Sequence, residues 1–103
     1  VRGEVYELRA LRGSRGHEQS GGRYAIVVRS DLLPLSTWLV APTSTAAREA
    51  TFRPEIRVRG RPTRLLAEQT AAVDPARLGQ QVGNLSFDDL RQVDAALRLV
   101  LAL

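Results

Sequence analysis

Residues 15–28, RGHEQSGGRYAIVV, decide how the rest of the chain is read: a polar, glycine-bearing loop passes through Arg23 into the unbroken apolar run Tyr24 to Val28. A short continuous apolar run of this kind is the pattern of a strand covered on both faces. The loop before it holds His17, the chain's one histidine, together with Glu18 and Gln19. Reactive side chains are thus gathered just ahead of a core strand, with an arginine at the junction.

Working outward, residues 2–10 (RGEVYELRA) alternate imperfectly, but their β-branched and aromatic content predicts a strand. From Leu11 to Gly22 the chain reads as loop, with Gly13, Gly16, Gly21 and Gly22, and its length makes it a candidate functional segment. Beyond the apolar run, a turn at DLLP (31–34) leads to STWLVAP (36–42), a strand that Pro42 is expected to close. TSTAARE (43–49) is small and polar, hence loop. In EIRVRG (55–60), Ile56 and Val58 face one way and Glu55, Arg57 and Arg59 the other, a half-buried strand with an arginine stripe outside. TRLLAEQTAAV (63–73) has Ala and Glu content that would also suit a helix, but the flanking breakers GRP and DP favour one further strand, and GQQVGNL (79–85) is read as a short last one.

The end of the chain predicts a helix. Ser86 precedes FDDLRQVDAALRLVLAL with Asp88 and Asp89 in the first turn, which suits both a capping box and the helix dipole. Leu90, Val93, Leu97, Val100 and Leu101 fall on one face at helical spacing. Five or six short strands with glycine-rich turns and one closing helix favour a small antiparallel β-barrel over a layered α/β sheet.

Composition narrows the chemistry. A length of 103 residues with 44% hydrophobic and 25% charged residues fits one globular domain, 1–103. The absence of cysteine excludes disulfides and thiol nucleophiles, and a single histidine argues against a histidine-rich metal site, so neither metal nor cofactor is expected. The longest apolar run is cut by Arg98 and falls far short of the ~20 residues of a membrane span. With no leader-like segment before the first strand, a cytoplasmic protein is expected. All basic residues are arginine and the net charge is +4, which suits a phosphate-bearing or acidic partner.

Taken in order, RGEVYEL (2–8), GHEQSGGR (16–23) leading into AIVV, WLVAPTS (38–44), LLAEQTAAVD (65–74) and a C-terminal helix resemble the MazF/PemK family of toxin endoribonucleases over nearly the whole chain. The most specific match is the loop, where the family pattern is Gly-x-Glu-Gln-x-Gly-x-Arg-Pro; the chain departs from it at Tyr24, which stands in place of the proline. The resemblance implies a homodimeric SH3-like barrel of the MazF/CcdB type that cuts single-stranded RNA without metal and is neutralised by an antitoxin. It implies Arg23 and Thr43 as the catalytic pair, with Ser44 the alternative if the register slips by one. It also points to His17 and Glu18 for catalysis and to Arg15, Gln19, Gly21, Gly22, Tyr24, Glu68 and Gln69 for RNA contact. Glu68 falls where PemK-like members carry an aspartate, but Leu66 stands where they carry an arginine, so that acid–base scheme does not transfer whole.

The chemistry stands on general grounds as well. Metal-free cleavage uses the substrate's own 2′-hydroxyl as nucleophile and needs a proton acceptor, a cation for the charge building on phosphorus and a donor for the departing 5′-oxygen. Products would be a 2′,3′-cyclic phosphate and a 5′-hydroxyl. Two other readings remain at this point: a CcdB-like toxin that binds DNA gyrase on the same barrel, and an RNA-binding barrel without catalysis. Arg57, Arg59 and Arg61 read first as a solvated strand face, with an RNA backbone or an acidic antitoxin tail as the alternative partners of the stripe, and Trp38 and Tyr6 read as core.

Overall fold

The computed structural model describes residues 2–8, 23–30, 32 and 36–103. Among these residues seven strands and one α-helix follow in order: β1 (Glu4–Leu8), β2 (Tyr24–Val27), β3 (Trp38–Ser44), β4 (Glu55–Val58), β5 (Arg61–Leu65), β6 (Ala71–Val73), β7 (Leu78–Asn84) and α1 (Phe87–Leu101). All pairings are antiparallel, in the order β4-β5-β3-β2-β1-β7, with β6 also against β3. The architecture is a mainly antiparallel β half-barrel closed by a C-terminal helix, as the sequence predicts.

The apolar run of β2 is covered on both faces. Ile26 and Val28 enter one core cluster with Val5, Ala41, Ile56, Leu65, Val93 and Ala96, while Ala25 and Val27 enter a second with Val40 and Leu78. A period of two explains the split, because successive side chains leave a strand on opposite sides. Trp38 and Tyr6 pack on the second cluster, their rings edge to face at 5.3 Å.

Three expectations need correction. Pro42 does not end its strand; β3 continues to Ser44. One edge of β3 faces β2, while the other is shared, with Trp38–Val40 against β6 and Thr43–Ser44 against β5. The Pro42 carbonyl accepts from the Leu66 amide at 2.8 Å on this second edge. The missing N–H therefore falls at the changeover between two partner strands, where a ladder bond is not required.

The stretch 63–73 is not one strand. A 3-10 turn at Ala67–Gln69 divides it into β5 and β6, which raises the strand count to seven, and buried Leu66 and Ala67 turn the chain inward there. The third correction concerns α1. Val93 and Ala96 are buried and Leu97 packs at their edge, but Val100 and Leu101 of the expected apolar face are exposed, as are Phe87, Leu99 and Leu103. The helix presses only its middle onto the barrel.

The N-terminus of α1 forms as expected, with the Ser86 hydroxyl accepting from the Asp89 amide at 3.1 Å. The Asp89 carboxylate accepts in turn from the Arg57 amide at 3.0 Å, which satisfies an outward-facing group on edge strand β4. Arg2 and Asp94 form an ion pair between the N-terminal segment and α1. Among the described residues no helix is long and apolar enough to cross a membrane.

Candidate active site

The site lies where the β2–β3 ladder stops. Paired residues run from Val27 and Val40 through Ile26 and Ala41 to Ala25 and Pro42. One step further, Tyr24 would face Thr43 in a main-chain rung. Two side-chain bonds take its place. Arg23 Nε donates to the Thr43 carbonyl at 2.9 Å, and the Tyr24 amide donates to Thr43 Oγ1 at 3.1 Å. The Arg23 carbonyl accepts from the Leu8 amide at 3.0 Å, so the arginine's own backbone is anchored to β1. Charge assistance strengthens the Nε bond, and tying one nitrogen of a planar group fixes the plane of the whole guanidinium.

Above this crossed pair is a pocket of about 570 Å³ lined by Arg23, Tyr24, Thr43, Ser44 and Thr45 on one side and the β4–β5 hairpin on the other. The hairpin contributes Arg59 and Arg61. The described lining carries three arginines and several hydroxyls, and no carboxylate or imidazole. That combination suits a phosphate: guanidinium forks match its oxygens and hydroxyls add hydrogen bonds.

Thr43 and Ser44 differ in access. Thr43 is only 1% exposed and its hydroxyl oxygen is engaged by the Tyr24 amide, which places it in the floor. Ser44 is half-buried, lines the same pocket, and accepts at Oγ from the Ala46 amide at 3.2 Å. Arg23, Tyr24, Thr43 and Ser44 are thus brought together as the sequence reading expects. Arg15, His17, Glu18, Gln19, Gly21 and Gly22 lie outside the described residues.

Glu68 and Gln69 sit on the 3-10 turn and do not line the pocket. The Glu68 carboxylate accepts from Arg53 Nη2 at 2.7 Å and Nε at 3.0 Å, and these bonds hold its pKa below the usual carboxylate value. The geometry gives Glu68 a structural partner in Arg53. Strand alternation alone places Arg59 and Arg61 on an open stripe and does not show that they meet the pocket. Both are exposed, as a solvated stripe requires, yet the hairpin carries them over the pocket.

Residues 1–101 match the family described as PemK-like, MazF-like toxins of type II toxin–antitoxin systems. The chain belongs to this family. A Mycobacterium tuberculosis protein named as a toxin, Rv3098A, is 39% identical to this toxin over all of its length and 98% of the relative's. Among solved structures, a mycobacterial endoribonuclease in complex with its cognate antitoxin superposes with a TM-score of 0.79 at 16% identity, covering 100% of this chain and 95% of the other. MazF from Deinococcus radiodurans gives 0.75 at 23% identity, over 99% and 96%. These two likenesses establish the shared fold. On that fold, the toxin's crossed Arg23–Thr43–Tyr24 bonds stand at the end of β3.

Proposed function

We propose that this toxin is a metal-independent endoribonuclease that cleaves single-stranded messenger, transfer or ribosomal RNA at a short sequence and thereby inhibits translation and growth. The observation that carries the reading is the replaced rung, which aims an arginine into a pocket of cations and hydroxyls. Family membership supports it, as does the endoribonuclease named among the structures of the same fold.

The 2′-oxygen attacks phosphorus, the O2′–P bond forms and the P–O5′ bond breaks, leaving a 2′,3′-cyclic phosphate and a 5′-hydroxyl. Charge accumulates on the non-bridging oxygens, and the Arg23 fork stabilises it there. Thr43 acts through Arg23, holding Nε with its carbonyl, and is a positioning residue in this scheme. Ser44, with access to the pocket, supplies the hydroxyl that hydrogen-bonds a non-bridging oxygen. His17 and Glu18 of the preceding loop are the candidates to take the 2′-proton and to protonate the 5′-oxygen. We assign the toxin a cognate antitoxin as its neutralising partner and a homodimer as its working form; a related endoribonuclease was solved with its own antitoxin.

The test is incubation of the purified toxin with total RNA in EDTA, followed by mapping of new 5′-hydroxyl ends, with Arg23→Ala as control. Discrete ends that vanish in the control are expected. A folded toxin that releases no ends overturns the proposal and turns the search to gyrase binding.

A further inference from the structure

The β4–β5 hairpin turns through Arg59 at φ 53° and Gly60 at φ 77°, between the paired residues Val58 and Arg61. Two successive positive φ values are the mark of a type I′ hairpin turn, whose first central position favours Asn, Asp or Gly. Gly60 meets that demand. Arg59 does not: an L-residue with a long side chain pays a steric penalty in the left-handed region. Such outliers cluster at functional sites, where the surroundings hold the residue for what its side chain does.

The position explains the choice. Arg59 lines the same pocket as Arg23, from the hairpin wall that faces β2 and β3. Among the described residues it pairs with Glu7, whose Oε2 lies 4.0 Å away, and both side chains are about half exposed, so this surface pair contributes little to the fold. An asparagine would suit the turn better and would not bring a guanidinium to the rim.

Resting on the endoribonuclease reading, we propose that Arg59 binds a backbone phosphate of the single-stranded RNA next to the scissile one. Arg23 holds the reacting phosphate on the β2–β3 side, and Arg59 clamps its neighbour from the hairpin side. The strained turn is the structural cost of carrying that cation.

The experiment compares the wild type with Arg59→Asn and Arg59→Lys. Binding is measured by fluorescence anisotropy with random-sequence oligonucleotides of 2′-deoxyribose, which lack the nucleophile, across a range of salt concentrations. Arg59→Asn is expected to melt at the same or a higher temperature while binding several-fold more weakly, with the salt dependence of log K reduced by about 0.7, one phosphate contact to a single strand. Arg59→Lys keeps the charge and the salt slope. In the cleavage assay Arg59→Asn raises KM with kcat largely held. Unchanged affinity and slope in Arg59→Asn overturn the proposal and leave the arginine for a protein partner. A lowered melting temperature that parallels the affinity loss, unrelieved by lysine, also overturns it. Because the oligonucleotides cannot be cut, a wild type that binds them through Arg59 yet releases no RNA ends refutes the nuclease reading separately.

Discussion

Replacing Tyr24 by proline tests whether the crossed bonds hold the site together. The substitution removes the amide that donates to Thr43 Oγ1 at 3.1 Å. It leaves the Arg23 bond to the Thr43 carbonyl in place. Thr43 is 1% exposed, so its hydroxyl oxygen loses that donor with almost no access to water. A buried polar group left unpaired costs about 1–3 kcal/mol. The chain entropy that proline removes from the unfolded state offsets roughly 0.4–1 kcal/mol of this, so a net loss of about 0–2.6 kcal/mol, centred near 1 kcal/mol, follows. For a domain of this size about 1 kcal/mol moves the melting temperature by roughly 4–8 °C. The Tyr24 ring packs against the larger core cluster, so Tyr24→Ala, which keeps the amide, must be measured beside it. The expected order is wild type, then Tyr24→Ala, then Tyr24→Pro in thermal unfolding. Cleavage by folded Tyr24→Pro should fall by less than tenfold relative to Tyr24→Ala, since the Arg23 tether survives. Tyr24→Pro as stable as Tyr24→Ala would refute the reasoning, because the amide would then contribute nothing.

Thr43→Val should destabilise the fold by about 1–3 kcal/mol, since it strands the Tyr24 amide, yet keep most cleavage per folded molecule, whereas Ser44→Ala should leave stability within about 1 kcal/mol and lower kcat; chemical denaturation and single-turnover cleavage separate the two. Glu68 has its folded pKa lowered by Arg53, so its stabilising contribution is present above the unfolded value near 4.5 and is lost as pH falls through the folded pKa. Glu68→Gln should therefore flatten the acid limb of a stability profile as pH falls below the unfolded value near 4.5, while leaving cleavage at neutral pH unchanged. Ala102 caps α1 at φ 60°, and Ala102→Gly should raise stability by about 0.5–1 kcal/mol in denaturant titration, a loss instead contradicting strain at that cap.

Local pattern carried the strands whose faces are chemically distinct. The β4 alternation and the doubly covered β2 run were legible because burial there follows a simple period. The Ser86 cap was legible because its chemistry is local. What failed depended on partners distant in sequence. Pro42 is a breaker by its own chemistry, and only the handover of β3's outer edge from β6 to β5 makes it harmless. Leu66 and Ala67 read as strand until the turn that buries them is seen. Val100 and Leu101 have helical spacing, but α1 runs past the end of the barrel before it reaches them.

The site was legible as a set of residue types and not as a geometry. Sequence alone left Thr43 and Ser44 exchangeable, since a one-residue slip sends each to the other's face. Register gives the two different surroundings. Ala25 opposite Pro42 fixes Thr43 opposite Tyr24, which turns the Thr43 hydroxyl toward the Tyr24 amide and its carbonyl toward Arg23. Ser44, half-buried where Thr43 is buried, also lines the pocket, with its hydroxyl accepting from the Ala46 amide. The same register answers why a core strand begins at an arginine. Once the main-chain ladder stops at Ala25, the Thr43 carbonyl and the Tyr24 amide still need partners, because unpaired buried backbone groups are costly. Arg23 and Thr43 supply them with their side chains. The two bonds that terminate the ladder therefore divide the work: the Arg23 bond to the Thr43 carbonyl aims the guanidinium, and the Tyr24 bond to the Thr43 hydroxyl completes the barrel beneath it.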